Sequence, residues 1–312
     1  MDTFNLSNGI IMPKVGMGTY RIDNAILPQT LKLAYELGYR KFDTAWRYRN
    51  ERLLTDTLFS KLGIRREEIF ITTKVISHGL FMWGWHGNSD WLHKAANYLT
   101  RIRSVEKAIE LSFKNLNVEY IDLFLVHAVC PWYREMYEVL TKFYRQGRIR
   151  AIGVSSFLPP HIESLKDVSD VVPMVNQFEI SPLNTQKQLI AYCKKNGIIP
   201  EAMSTLSHYQ SNEVRTEILE NEIIVDIAKR IGRSPAQIVW RWLYQQGISI
   251  IPKTWDSIHL RENISIFDFN LSSKDMDAID SLDQGKFLNY DCYTKLQYLP
   301  KEYRNWKGFE TK

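Results

Sequence analysis

Short apolar runs recur along the chain, separated by segments whose apolar positions fall three and four residues apart. Eight runs, Lys14–Gly18, Tyr39–Asp43, Ile69–Val75, Ile121–His127, Ile149–Ser155, Pro173–Gln177, Ile198–Ala202 and Ile248–Lys253, are rich in Ile, Val and Phe. They are apolar nearly throughout, as strands buried on both faces should be. Between them, Val105, Ala108, Ile109, Ser112, Phe113 and Leu116 mark one helix face, and Ile224, Ile227, Ala228 and Ile231 mark another. Strands alternating with helices predict an α/β protein with a parallel sheet. No GxGxxG follows an early strand, which favours a closed (β/α)8 TIM barrel over a doubly wound dinucleotide-binding sheet. Ahead of the barrel, Asn8-Gly9 lies between Phe4–Leu6 and Ile10–Met12, the strongest short-range hairpin signal. That N-terminal β-hairpin is expected to cap the bottom of the barrel.

Two segments break the alternation and predict extended loops. His78–Thr100 carries Trp83, Trp85 and Trp91, and the tail Asp283–Lys312 is rich in Tyr and Lys. No internal linker or low-complexity stretch divides the 312 residues, so one barrel domain over 1–312 is expected.

Composition adds mostly exclusions. With 45% hydrophobic and 24% charged residues the chain is ordinary globular material. A net charge of +5, from 40 basic and 35 acidic residues, is spread without a basic run, so nucleic acid is not implied. No window reaches ~18 consecutive apolar residues, the length a membrane span needs. MDTFNLSNGI has neither a basic nor an apolar signal region, and a cytoplasmic protein without a membrane partner is expected. Three widely separated cysteines, Cys130, Cys193 and Cys292, suit a reducing compartment.

Candidate chemistry sits at the strand ends, where barrel enzymes build their sites. Asp43, Lys74 and His127 close or nearly close successive apolar runs, and Tyr48 follows in FDTAWRYRNE. Any one of them alone is an ordinary cap, a snorkelling lysine or a satisfied histidine. Together they suit carbonyl reduction, which needs a hydride on carbon and a proton on oxygen. The Tyr48 phenol can supply that proton, but a free pKa of ~10 makes it a poor donor. The Lys74 ammonium is expected to lower it. Asp43 is expected to keep that lysine charged once water is excluded. His127 is expected to hydrogen-bond the carbonyl oxygen and orient it.

Along most of its length the chain strongly resembles the aldo-keto reductase family, from LSNGIIMPKVGMGTY through FDTAWRYRNE, FITTKV, YIDLFLVH, RIRAIGVSSF and VNQFEISP to IIPKT and RENISIFDFNLSSKDM. The resemblance implies a (β/α)8 barrel with NADPH across its top and a catalytic tetrad of Asp43, Tyr48, Lys74 and His127. It also implies that Ser155 and Gln177 bind the nicotinamide carboxamide, with Ser156 where the family has an Asn. Met203 replaces a Tyr that stacks under the nicotinamide, and Ser204, with Leu206 nearby, fits a pyrophosphate contact. Lys253 and Thr254 match the 2′-phosphate residues, His259 stands in place of an Arg, and Glu262 and Asn263 fall near the adenine. A histidine lacks the bidentate fork of Arg. Lys253 nevertheless makes NADPH the favoured cofactor, with NADH open.

The substrate pocket departs most from the family. Ala128 replaces a large aromatic, and Tyr20 takes the place of a pocket aromatic in the first βα loop. Trp83 and Trp85 either wall an apolar or aromatic substrate or pack their loop onto neighbouring helices; both readings stand. His78, His86 and His93 are not spaced for a single-helix metal site, and no metal is expected. The function that follows is NADPH-dependent reduction of a small-molecule aldehyde or ketone by a monomer, with Tyr48 as proton donor. Alcohol oxidation would use the same residues in reverse. Two alternatives stay open. One is a cofactor-binding regulatory subunit of weak turnover, to which Ser156 and Met203 lend weight. The other is a specialised biosynthetic reductase of C=N or C=C bonds, against which His127 counts.

Overall fold

A computed structural model describes residues 2–75, 105–206, 212–288 and 291–309. β1 (Thr3–Asn5) and β2 (Ile11–Pro13) pair antiparallel around Asn8-Gly9, where Gly9 takes a φ of 85° that a residue with a Cβ would resist. The remaining strands are β3 (Met17–Gly18), β4 (Lys41–Asp43), β5 (Phe70–Val75), β6 (Leu123–Val126), β7 (Ile152–Ser155), β8 (Val175–Glu179), β9 (Ile199–Met203) and β10 (Ser249–Ile250). They pair in sequence order, every pair parallel, in one eight-stranded sheet. A parallel bridge between Val15 and Ile250, with Gly16 N donating to Ile250 O at 2.9 Å, joins its two edges. The sheet is therefore a closed barrel. Each of the eight predicted runs overlaps one of these strands; β8 and β9 extend two and one residues beyond their runs, and β3 and β10 keep only two residues each.

Period-two geometry sorts the strand residues onto two faces. Phe42, Ile71, Phe124, Val126, Ile152, Val154 and Phe178 join the large core between sheet and helices. Their neighbours Phe70, Leu123, Leu125, Ala151 and Val175 form a second buried cluster with Leu6 and Met12 of the hairpin. The hairpin therefore caps the apolar lower half of the barrel interior, and Asn8 Nδ2 fastens it by donating to Arg150 O at 2.8 Å. The helix Val105–Leu116 buries Ala108, Ile109, Ser112, Phe113 and Leu116, and the helix Glu222–Ile231 buries Ile224, Ile227 and Ala228. Both faces match the spacing in the sequence.

The tail folds into 3-10 turns at Cys292–Tyr298 and Lys301–Tyr303. It is pinned to the body where Tyr303 OH donates to Asp167 Oδ1 at 3.0 Å and where His161 Nε2 meets Lys295 O at 3.3 Å. His78–Thr100, with Trp83, Trp85 and the three loop histidines, lies outside the described residues. Among the described residues no helix is long and apolar enough to cross a membrane.

Candidate active site

Two residues of the constellation come directly from strand ends: Asp43 closes β4, and Lys74 is the penultimate residue of β5. His127 follows β6 immediately, its backbone N–H donating to Val75 O at 2.8 Å. Tyr48 ends a short 3-10 turn, Trp46–Tyr48, entered through extended Ala45 and left through Arg49 at a φ of 57°. That turn folds the phenol back over the strand ends. Lys74 Nζ donates to Asp43 Oδ1 at 2.5 Å and Oδ2 at 2.7 Å, to Thr44 O at 3.0 Å and to Tyr48 OH at 3.2 Å. The Tyr48 ring lies edge-on to His127 with centroids 5.8 Å apart, and Tyr20 packs on it at 4.7 Å. All four tetrad residues thus meet at the C-terminal rim of the barrel.

Above them opens a cavity of about 810 Å³. Asp43, Tyr48, His127, Tyr20 and Ala128 line it at one side. Ser155, Ser156, Gln177, Met203, Ser204 and Leu206 continue the wall, followed by Lys253, Thr254, His259, Glu262 and Asn263. Every cofactor residue named from the sequence therefore borders one space. Ser156 and Ser204 hold φ angles of 62° and 55°, left-handed conformations that cost a serine more than the asparagine or glycine usual there. Such backbone tends to cluster at functional sites.

Comparison with known proteins agrees with this geometry. The family model "Aldo/keto reductase family" matches residues 14–284. The chain belongs to the aldo-keto reductase family. Among curated relatives, it is 37% identical over 289 residues to "Glyoxal reductase" of Bacillus subtilis (strain 168), covering 91% of this chain and 93% of the other. It is 34% identical to "Methylglyoxal reductase DkgA" of Escherichia coli (strain K12), covering 92% and 95%. A solved structure of a Gox0644 variant in complex with NADPH superposes with a TM-score of 0.78 at 31% identity, covering 94% and 98%. This aldo-keto reductase is accordingly an NAD(P)H-dependent oxidoreductase that acts on carbonyls.

The electrostatics of the site correct one expectation. Burial, the largest influence, pushes the Tyr48 phenol upward; Lys74 pulls it down as expected, but burial together with the Asp43 charge leaves its pKa raised above the ordinary 10.0. Burial also disfavours the Lys74 ammonium, but Asp43 and Tyr48 outweigh it and hold the lysine above its ordinary range. His127 is pushed well below 6.5 by burial and then by the charges of Lys74 and Arg47, which makes it a neutral imidazole. Its Nδ1 is buried with no hydrogen-bond partner among the described residues.

Several residues of the aldo-keto reductase site were not singled out from the sequence. Arg47 and Arg215 line the cavity, and Arg215 and Arg21 lie close enough to Lys253 that, after burial, their charges lower its pKa. Lys253 Nζ sits 5.0 Å over the exposed Trp255 ring. Asp256 caps the helix Ser257–Ile264, accepting from Ile258 N and His259 N, and its Oδ1 lies 3.8 Å from His259 Nδ1. Asn263 Oδ1 is taken by Trp240 Nε1 at 2.7 Å, and Glu262 Oε2 by Ser234 Oγ at 3.2 Å. Deeper in the barrel, Lys41 and Glu201 form a fully buried ion pair at 2.7 Å. Among the described residues no group of His, Cys, Asp and Glu could hold a metal ion.

Proposed function

We propose that the chain reduces a small aldehyde or ketone to an alcohol, with NADPH as the favoured cofactor and Tyr48 as the proton donor. The observation that carries this reading is the Lys74 ammonium shared between the Asp43 carboxylate and the Tyr48 hydroxyl, beneath a cavity also lined by His127. A phenol held above pKa 10.0 keeps its proton through the neutral range, as a donor must. The adjacent ammonium stabilises the phenolate left behind when the proton goes. Neutral His127 donates an N–H to the substrate oxygen without adding charge, and Asp43 keeps the fully buried Lys74 protonated.

The residues present fit a nicotinamide dinucleotide. Gln177 offers an amide oxygen that accepts from no described residue, and Arg215 and Lys253 line the same cavity for anionic phosphates. Bound there, the cofactor supplies a hydride for the carbonyl carbon. Lys253 favours the 2′-phosphate form. Glyoxal-like and methylglyoxal-like dicarbonyls are the first substrates to try, since two relatives are named for them. The same reading takes the chain as one barrel domain acting as a monomer in the cytoplasm, which size-exclusion chromatography and fractionation test. The decisive experiment is Tyr48→Phe assayed with NADPH and an aldehyde panel. We expect turnover to fall by about 10²–10⁴-fold while cofactor quenching of protein fluorescence persists. Turnover near wild type would remove Tyr48 from this role.

A further inference from the structure

Below the tetrad the barrel interior holds a second layer of polar groups that carbonyl reduction does not itself require. Lys41 Nζ reaches Glu201 Oε2 at 2.7 Å and Ser249 Oγ at 2.6 Å, and Ser249 Oγ meets the same carboxylate oxygen at 2.7 Å. All three side chains are fully buried. The other Glu201 oxygen, Oε1, accepts from Gln177 Nε2 at 2.8 Å, and Gln177 Nε2 also donates to Asp43 Oδ2 at 3.0 Å. A continuous chain of hydrogen bonds thus runs from Lys41 through Glu201 and Gln177 to Asp43, Lys74 and Tyr48.

The amide chemistry gives this chain a consequence. An NH2 group has two hydrogens, and both are committed to carboxylates. Turning the amide over would aim its oxygen at two carboxylate oxygens, so only one orientation is tenable. In that orientation the carbonyl oxygen is left for a donor in the cavity that Gln177 lines. Asp43 alone would leave one N–H uncommitted and the amide free to rotate; Glu201 removes that freedom. The backbone makes room for the device: a Cβ at Gly16 would lie 2.5 Å from Lys41 Cε. Stability alone is a weak reason for such a pair, because apolar residues of similar volume usually do as well in a core.

We propose that Glu201, held by Lys41 and Ser249, is a positioning residue that locks Gln177 with its amide oxygen toward the nicotinamide carboxamide. This rests on the reading of the cavity as a nicotinamide dinucleotide site. The test is the paired substitution Lys41→Met with Glu201→Met, which removes both charges and keeps the interior filled. Fluorescence titration should show NADPH binding weakened about tenfold, while adenosine 2′,5′-bisphosphate, which lacks the nicotinamide, binds as it does to wild type. Loss for both ligands, or for neither, overturns the proposal, since a merely structural role cannot tell the two halves apart. Should the paired variant not fold, Ser249→Ala must show the same selective loss at about twofold, and equal affinity for both ligands overturns the proposal. A wild-type protein that neither binds NADPH nor consumes it would instead overturn the underlying reading.

Discussion

Asp43→Asn tests the ion pair at the centre of the site. The substitution keeps the shape of a side chain that is 3% exposed and removes its charge. Lys74 Nζ meets both carboxylate oxygens, so whichever way the new amide turns its NH2 faces the ammonium, and in one orientation it faces the Gln177 amide as well. Lys74, fully buried, is left with neutral partners alone: the remaining amide oxygen, Thr44 O and Tyr48 OH. Removing one member of a buried pair costs about 3–5 kcal/mol, a large share of the roughly 5–15 kcal/mol that holds a domain together. The pH dependence adds a sign. In wild type the Lys74 pKa is raised above 10.5, so its contribution is full below the unfolded value and is lost as pH rises through the folded one. In the variant, burial is unopposed by Asp43 and the folded pKa falls below 10.5. The unfolded chain then binds the extra proton, and stability climbs as pH rises toward 10.5. Urea unfolding at pH 7, 8, 9 and 10 should therefore show a gap between the two proteins that narrows with pH. A gap below about 1 kcal/mol, the size of an ordinary hydrogen bond, that also stays constant with pH would refute the reasoning. Turnover should fall by about tenfold or more, because the Lys74 charge beside Tyr48 is no longer held by an anion.

His259→Arg should tighten NADPH by about tenfold, one charge-assisted contact, and leave NADH nearly unchanged. Parallel titrations of the two cofactors decide this, and equal effects would show that position 259 does not face a 2′-phosphate. His161 is neutral and buried, accepting from Leu158 N on one nitrogen and meeting Lys295 O with the other, and burial depresses its pKa from 6.5 to about 4. A histidine depressed on folding stabilises fully above its unfolded pKa and loses that contribution as pH falls toward the folded one, here about 3 kcal/mol between pH 6.5 and 4. Urea unfolding across that range should show the loss in wild type and a flatter profile in His161→Asn; parallel profiles would refute it.

The architecture was legible because its signals are local. Asn8-Gly9 between two apolar runs specifies a hairpin by turn geometry alone, and both strands formed, each shifted one residue away from the turn relative to its run. The eight runs carry their burial in their own composition, so each produced a barrel strand. Strand length was less legible. Lys14 to Gly16 reads as strand, yet pairing there is limited to the Val15 bridge and its flanking hydrogen bonds, since β10 offers only two residues opposite. Hydrogen-bonded length depends on a partner about 235 residues away, which no local pattern encodes. Aromatic content in 78–100 likewise left open whether the tryptophans face a ligand or a neighbouring helix.

The tetrad was readable because ions at strand ends interrupt apolar runs, but the sign of the Tyr48 shift was not. Naming Lys74 as a neighbour fixes the direction of one contribution; burial, which depends on the whole rim, supplies the larger opposing one. The Lys41–Glu201 pair escaped notice for a different reason. Lys41 lies inside its run, where a single charge reads as tolerated noise, and Glu201, penultimate in its run as Lys74 is in its own, stands three strands away from the consecutive ends that drew attention. Strand parity carried the missing information. Lys41 stands two residues before Asp43, so both must face the barrel interior, and Glu201 stands two before Met203, whose side chain borders the cavity. An inward cation and an inward anion on strands of one closed barrel cannot both stay unpaired out of water, because an isolated buried charge is far more costly than a paired one. Their meeting was therefore implied by alternation and closure together, and the hydrogen bond from Gln177 to Glu201 follows because the two residues pair across β8 and β9.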